Sequence, residues 1–580
     1  QSRNLTSSRQ VKTCCILNTP VVSGLGADVV LTEWPLHEIY SRVNSLIGSP
    51  EQFTPEERAV LEPYFTNLDS QVFALTNLPE TVKGALFARY SRSAKSLRRL
   101  FLDEFLDGLG VTRVASSGVG VTRADRLYAR VLNDYGDDSV AQLGGAHLAC
   151  EGVSNILTKV LEHGRLMSYL EQSTRYVPYL DRKGGAWKYL IPSELDGHPL
   201  RKRYVQVLDN AFNLYARLFD PLQEYFRLKH PKQPEDSDRV YRAAIRAKAL
   251  DTLRGLLPAA TQSNVGIYGS GQAYEALILR MLAHPLAEAR TYASAILSEL
   301  RKVIPAFLTR VDLPERGQRW SRYFAETRRD VKFLSNELVV EDEKDTQSEV
   351  SLTDYDPEGE IKVVAASLYS VSHLSDAKLL VLARQMTSEQ RERVLKTYVG
   401  QRTNRRHKPG RAFERTRYRF DILTDYGAFR DLQRHRLLTT EWQALTPRHG
   451  YVEPVAIVDV GVLSEWRCVM NDSADLYHAI VKADFPDVAS YAVTLAHRVR
   501  FYLDLDAREA MHVIELRSTP QGHAAYRRIC QAMHRLIEKK AGHRAIASAM
   551  AFVDHSAGEL ERLNAERESE RRRRRADQNL

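Results

Sequence analysis

Residues 151 to 176 read Glu151-Gly-Val-Ser-Asn-Ile-Leu-Thr-Lys-Val-Leu-Glu-His163-Gly164-Arg165-Leu-Met-Ser168-Tyr-Leu-Glu171-Gln-Ser173-Thr-Arg175-Tyr176. An amphipathic run closes on a basic cluster, and an acid, a hydroxyl and a guanidinium follow at alternate positions, Glu171, Ser173 and Arg175. By themselves a serine and an arginine at this spacing cap and solvate an ordinary turn.

Working outward, a related order of features occurs twice, which points to duplication. Ala85-Leu-Phe-Ala-Arg-Tyr-Ser91 and Ala366-Ser-Leu-Tyr-Ser-Val-Ser372 each precede a helical stretch and a marked turn, Tyr135 to Ser139 in one copy and His407 to Gly410 in the other. Each copy then runs through an amphipathic stretch into a basic signature, His163-Gly164-Arg165 in the first and Arg434-His435-Arg436 in the second. Downstream come Asp251-Thr-Leu-Arg254-Gly-Leu-Leu-Pro258 and Tyr274 to Arg280 in the first copy, and Asp506-Ala-Arg508-Glu-Ala-Met-His512 to Arg517 in the second. Arg254 and Arg280 lie within apolar runs, so each needs a partner, for which an internal carboxylate would serve as well as a ligand.

These stretches resemble the ThyX family, the flavin-dependent thymidylate synthases, whose motif R-H-R-x-x-S-x-N-E-x-S-x-R-Y follows a helix containing E-G-V-S. The first copy keeps the second half of that motif, with Glu171, Ser173, Arg175 and Tyr176 on its E, S, R and Y. Its first half is eroded: His163 and Gly164 stand for Arg and His, Arg165 is retained, and Leu143 stands where a flavin-contacting His is expected. The second copy keeps the R-H-R triplet whole and places Arg508, His512 and Arg517 in register with the family's N-x-R-x-L-x-H-F-L-x-L-R helix. In the first copy that helix is expected to have lost its Asn and His to Gly269 and Glu275.

The resemblance implies an α+β fold of two tandem, helix-rich repeats, each with a small mixed sheet, packed as a pseudo-dimer. It implies nucleotide binding by Glu171, Ser173, Arg175, Arg254 and Arg280, with Arg280 and Arg517 as catalytic groups. Arg165, Arg434, His435, Arg436, Arg508 and His512 fall to the cofactor, FAD. NADPH and methylene-tetrahydrofolate would complete a reaction on dUMP or another uracil-containing substrate. The division of surviving motifs allows a shared site, with the nucleotide grip from the first repeat and the flavin side from the second.

Composition sets the bounds. The 580 residues suit several domains, and a hydrophobic share of 43% allows each a real core. A net charge of +9 favours polyanionic partners, whether phosphorylated small molecules or nucleic acid. The five cysteines form no C-x-x-C pair, and no metal site is expected. No loop of the G-x-x-x-x-G-K type and no H-E-x-x-H offers a rival chemistry, Gly269-Ser-Gly271 is too short for a dinucleotide fingerprint, and Gly118-Val-Gly120 reads as a turn. No apolar run is long enough to span a membrane. The acid-poor start, with Arg3, Arg9 and Lys12 ahead of Asp28, resembles organellar transit material and equally fits a disordered N-terminus, so a mitochondrial or a cytoplasmic location is expected.

The expected divisions are an extension over 1–75, a first repeat over 76–335, an acidic linker over 336–360, a second repeat over 361–555 and a charged tail over 556–580. The linker rests on ten acids between Glu337 and Glu360 against the single Lys344. The tail ends in the run Arg571 to Arg575, which is either solvated or a contact for RNA phosphates. Three functions fit: a flavin-dependent methyltransferase, a non-catalytic structural or RNA-contacting part of a large assembly such as an organellar ribonucleoprotein, or a nucleotide-binding module without chemistry.

Overall fold

Strand β3, Gln262–Ser270, buries Ser263, Val265, Ile267 and Gly269 and turns the residues between them outward, the period of two that a half-covered sheet requires. The last residue of β3, Ser270, then caps helix α4, Gly271–Leu282, its Oγ accepting from the Ala273 N–H. The same device recurs at three other junctions. Ser154 ends β1 (Gly145–Ser154) and caps α1 (Asn155–Leu161), Asp425 ends β5 (Arg417–Asp425) and caps α6 (Tyr426–Leu432), and Asp506 ends β7 (Arg498–Asp506) and caps α8 (Ala507–Arg517). Two capped strand-to-helix junctions per half, in the same order, make the repeat visible in backbone geometry.

The computed structural model describes residues 51–69, 72–90, 93, 95–105, 142–234, 236–339, 348–556, 563, 566–567 and 570–572. Cys14, Cys15, Gly118 to Gly120, the turn Tyr135 to Ser139, the acids from Glu341 to Asp345 and the arginines from 573 to 575 lie outside the described residues. The helices Glu80–Tyr90 and Gly359–Tyr369 carry the two opening stretches of the repeat.

The first sheet has the order β1-β3-β2, with β2 at Met167–Glu171; the second has β4-β5-β7-β6, with β4 at Val350–Tyr355 and β6 at Thr439–Trp442. Both sheets are antiparallel throughout, not mixed, because β3 and β7 each run opposite to both of their neighbours. Strand β4 also lies inside the stretch expected to be a solvated linker. Its one acid, Asp354, turns outward while Val350 and Leu352 bury at alternate positions, a pattern that a count of acids does not see.

The halves meet about a pseudo-twofold axis that runs through one β-bridge. Pro258 pairs with Thr494, and each stands twelve residues before its capping residue, Ser270 or Asp506. The bonds around the bridge are reciprocal. Ala259 N–H donates to Val493 O at 2.8 Å and Leu495 N–H to Leu257 O at 2.9 Å, while Ala260 N–H donates to Tyr491 O and Ala496 N–H to Gly255 O, each at 3.0 Å. Such mutual pairing is what an isologous interface produces.

Three long helices flank the junction. Helix α2 (Leu200–Lys229) packs on α3 (Asp238–Leu253) within the first repeat and on α7 (Leu463–Lys482) of the second. The fully buried Trp466 of α7 lies so close to Gly255 that a Cβ there would come 2.7 Å from the ring. Helix α9 (Ala524–Lys539) covers α8 on the far side. Between the repeats, α5 (Arg319–Leu338) buries none of its residues. No described helix is long and apolar enough to cross a membrane.

Candidate functional site

The C-terminal end of β2 delivers Glu171 into the junction with its side chain fully buried. Burial opposes a charge there, yet three cations meet it: Arg430 at 2.5 Å, Lys159 at 3.2 Å, and Arg434. Against the cost of burial, Arg430, Lys159 and Arg434 together hold this carboxyl well below the usual range. Lys159 bonds Glu162 as well, at 2.5 Å; burial pushes the carboxyl of Glu162 upward. The first repeat thus inserts an acid between its own Lys159 and the two arginines that α6 and its C-terminal turn supply from the second.

Beyond Glu171 the chain turns. Ser173 Oγ accepts the Arg175 N–H at 3.2 Å, a local turn bond, and the Arg175 guanidinium reaches back to the end of α3. There it makes a bidentate pair with Asp251, at 2.6 and 2.9 Å, and donates to Tyr526 Oη at 2.9 Å and Gln521 O at 3.2 Å. Burial would raise the Asp251 carboxyl, but Arg175 draws it down to about 2. Arg254, buried just after α3, faces Asp431 at 3.4 Å and Asp425 at 3.6 Å, and its NH2 has no hydrogen-bond partner.

Asp431 is the hub. Burial opposes its charge, but Arg254, Arg434, Arg517 and Arg175 act on it together and hold it far below the ordinary carboxylate range. Arg254 alone contacts Asp431, and the charges of three further arginines, bonded to Glu171, Asp251 and His435, act on the same carboxylate from nearby. Tyr526 joins them, its ring centroid 6.0 Å from the Arg175 guanidinium carbon and 5.6 Å from that of Arg517.

Arg517 Nε–H donates to His435 Nε2 at 3.0 Å, which places the imidazole proton on Nδ1, 3.5 Å from Glu509. Burial draws the pKa of His435 down to about 4, and the Arg517 charge acts in the same direction. His512 Nδ1 shares Glu509 at 3.2 Å, and burial notwithstanding, the two histidines hold Glu509 at about 2. His435, Glu509 and His512 offer ligand atoms within 4.8 Å of one another. With Arg517 donating to its other nitrogen, however, His435 meets Glu509 through an N–H and not through a lone pair, which suits a hydrogen bond and opposes ligation of a cation.

The structure thus gathers Glu171, Ser173, Arg175, Arg254, Arg434, His435 and Arg517 into one composite region. It sends other expected residues elsewhere. Arg508 donates to Pro409 O at 2.9 Å and pairs with Glu414 at 3.6 Å, away from Asp431. Arg165 and Arg436 cross the axis reciprocally: Arg165 donates to Thr439 Oγ1 at 2.8 Å, and Arg436 to Ser168 Oγ at 3.3 Å and to Met167 O. Arg280 lies apart, 3.1 Å from His163 Nδ1. The capping residues also correct a register. Ser270, not Gly269, stands opposite Asp506, so Gln272 and Ala276 fall opposite Arg508 and His512, and Arg280 falls opposite Leu516, one place short of Arg517. Leu143 is exposed.

The symmetry-related position is filled instead. Glu171 pairs with Val265 and Trp442 with Phe501, and both partners stand five residues before their caps, so Trp442 occupies the place of Glu171. Its ring lies 5.4 Å from that of His163, edge to face, and against Phe429. Gly164, opposite His435, leaves room for Tyr169: a Cβ there would come 2.6 Å from the tyrosine hydroxyl. One site keeps its charges, and its mate has become packing.

Lys159, Arg430, Asp431, Glu509 and Tyr526 were not singled out by the sequence. A signal for two of them was present, since Asp431 and Arg430 stand three and four residues before Arg434, a spacing that shares one helical face.

Comparison with known proteins places these observations. The family model described as thymidylate synthase complementing protein (Thy1) matches residues 87–306 and again residues 351–542. A UPF0159 protein of Chlamydia muridarum is 39% identical over 527 residues, 90% of this chain and 99% of that protein. A UPF0159 protein of Thermoplasma acidophilum is 31% identical over 512 residues, 83% of this chain and 97% of its own. A flavin-dependent thymidylate synthase of Clostridium tetani is 27% identical over 184 residues, 31% of this chain and 67% of that enzyme.

Proposed function

The chain belongs to the thymidylate synthase complementing protein family, which it matches twice, and we propose that it methylates a uracil nucleotide with a flavin through one composite site per chain. The observation that carries this reading is the asymmetry of the two symmetry-related positions. At one position arginines from both repeats meet the buried acids Glu171, Asp251 and Asp431, while at the mate Trp442 and Tyr169 take up the space.

The nucleotide is assigned to Arg175, Arg254 and Arg517, with Ser173 at the turn that aims Arg175. Arginines suit the task because the phosphate and the pyrimidine, as it gains negative charge, both ask for fixed cationic donors. His435, held neutral, keeps Arg517 oriented through the bond to Nε2.

For the flavin, Arg165 and Arg436 are exposed in the turns that lead into β2 and β6, and Arg434 keeps a buried Nε without a hydrogen-bond partner. Donors of this kind fit the phosphates and ring carbonyls of FAD. When bound, a reduced flavin supplies the hydride and the route for the transferred carbon, with NADPH and methylene-tetrahydrofolate as the sources. Arg280 and Arg508, separated from Asp431, have no part in this assignment.

A second reading, a non-catalytic member that binds nucleotide or contacts RNA, draws on the tight pairing of Arg175 and Arg254 with Asp251, Asp425 and Asp431. The two are separated by incubating purified protein with FAD, dUMP, methylene-tetrahydrofolate and NADPH and measuring dTMP. The enzymatic reading expects turnover that Arg517→Ala abolishes. Protein that holds neither flavin nor nucleotide overturns it.

A further inference from the structure

Beside the composite site opens a cavity of about 830 Å³, near the top of the range of roughly 300–1,000 Å³ for small-molecule pockets. Its deep end is buried and is walled by Arg254, Asp251, Asp425 and the Trp466 ring. Its open end is lined by exposed Lys229 at the end of α2 and by exposed Arg528 and Arg535 on α9. In all, seven Lys and Arg side chains line it against four carboxylates. None of Arg434, His435 and Arg436 lines it, so the room left beyond a mononucleotide is not the place assigned to the flavin.

The charge is graded along the cavity. At the deep end Arg175 and Arg254 are already matched by Asp251, Asp425 and Asp431, so a single phosphate arriving there gains hydrogen bonds but little net attraction. Outward, Glu349 pairs with Arg528 at 3.2 Å, and the remaining lining charges still sum to a positive surplus where α2 and α9 approach the mouth. A ligand that uses both ends must carry anionic groups in series.

We propose, resting on the assignment of the composite site to a nucleotide, that the ligand is a uracil nucleoside 5′-polyphosphate. Its first phosphate lies toward Arg175 and Arg254, and the following phosphates run out toward Arg528 and Arg535.

Calorimetry on the full-length protein with dUMP, dUDP and dUTP at about 0.1 M salt tests this. Affinity is expected to rise about tenfold for each added phosphate and to fall as salt is raised. The double variant Arg528→Gln/Arg535→Gln, altered only at exposed positions, is expected to bind dUTP no better than dUMP while its dUMP affinity stays as in the wild type. If dUMP binds the wild type as tightly as dUTP, the polyphosphate proposal falls and the nucleotide assignment stands. If a short oligo-deoxyuridylate binds more tightly than dUTP, the proposal falls in favour of a strand. If none of the nucleotides binds, the assignment falls as well.

Discussion

Trp442 stands where the pseudo-twofold operation places Glu171, so one fold position carries a buried acid in the first repeat and a half-buried aromatic ring in the second. The substitution changes what the surrounding cations can do. Arg430 and Arg434 turn to the acid that remains, and Lys159 shares it with Glu162.

Removing that acid should therefore cost stability. Glu171→Gln leaves the buried Arg430 guanidinium with only a neutral amide while Lys159 keeps Glu162, and breaking a buried ion pair from one side costs about 3–5 kcal/mol. Urea unfolding followed by circular dichroism should show the midpoint falling by a corresponding amount. A loss below about 1 kcal/mol would mean that water already reaches the cluster.

Acid should unfold the protein through the same groups. Glu171, Asp251 and Asp431 are lowered in the folded state, so the unfolded chain takes up protons first as pH falls. Their contribution is complete above the ordinary carboxylate pKa values and is lost toward the folded values, near 2 for Asp251. Melting temperature measured from pH 6 down to pH 2 should decline through that window, and the Glu171→Gln variant should decline less.

His435 titrates in a different window, with the neutral form favoured on folding. Its stabilising effect is present above the ordinary histidine pKa and is lost as pH falls toward about 4. Nitrogen NMR of labelled histidine should find the ring neutral at pH 6, with the proton on Nδ1. Arg517→Gln removes the donor to Nε2 and a nearby positive charge, so the pKa should move upward. A ring already protonated at pH 6.5 in the wild type would contradict the geometry.

Flavin stoichiometry should be at most one per chain. Absorbance after loading with FAD and desalting counts it. Restoring the family residue by Gly164→His should not create a second site, because the new Cβ would come 2.6 Å from the Tyr169 hydroxyl. Two tightly held flavins in the wild type would refute the assignment of a single site.

Much of this architecture was legible from motif order. Arg434-His435-Arg436 and Glu171-x-Ser173-x-Arg175 identified the family and predicted that each repeat keeps a different half of the site. What was illegible depended on chain distance. Asp431 draws in arginines from positions 175 to 517, and no local pattern announces a meeting of that span. The helix register in the first repeat slipped by one because Ser270 is a cap, a role that only backbone geometry distinguishes from its neighbour Gly269. Strand β4 was hidden by the acids around it, since two buried residues give too short an alternation to outweigh them.

The described part of the C-terminal segment does not extend freely: Arg567 pairs with Asp236 and Glu570 accepts from Ser237 Oγ at 2.9 Å, so the end of the second repeat is fastened to the first.

The reciprocal bonds around Pro258 and Thr494 carry a consequence that separate subunits do not share. In a pair of identical subunits every replacement is made in duplicate, and a residue that improves one face of the axis burdens the other. Here the two sides are written by different stretches of a single chain, and dilution cannot part them. One side is free to specialise while the other serves only as its wall.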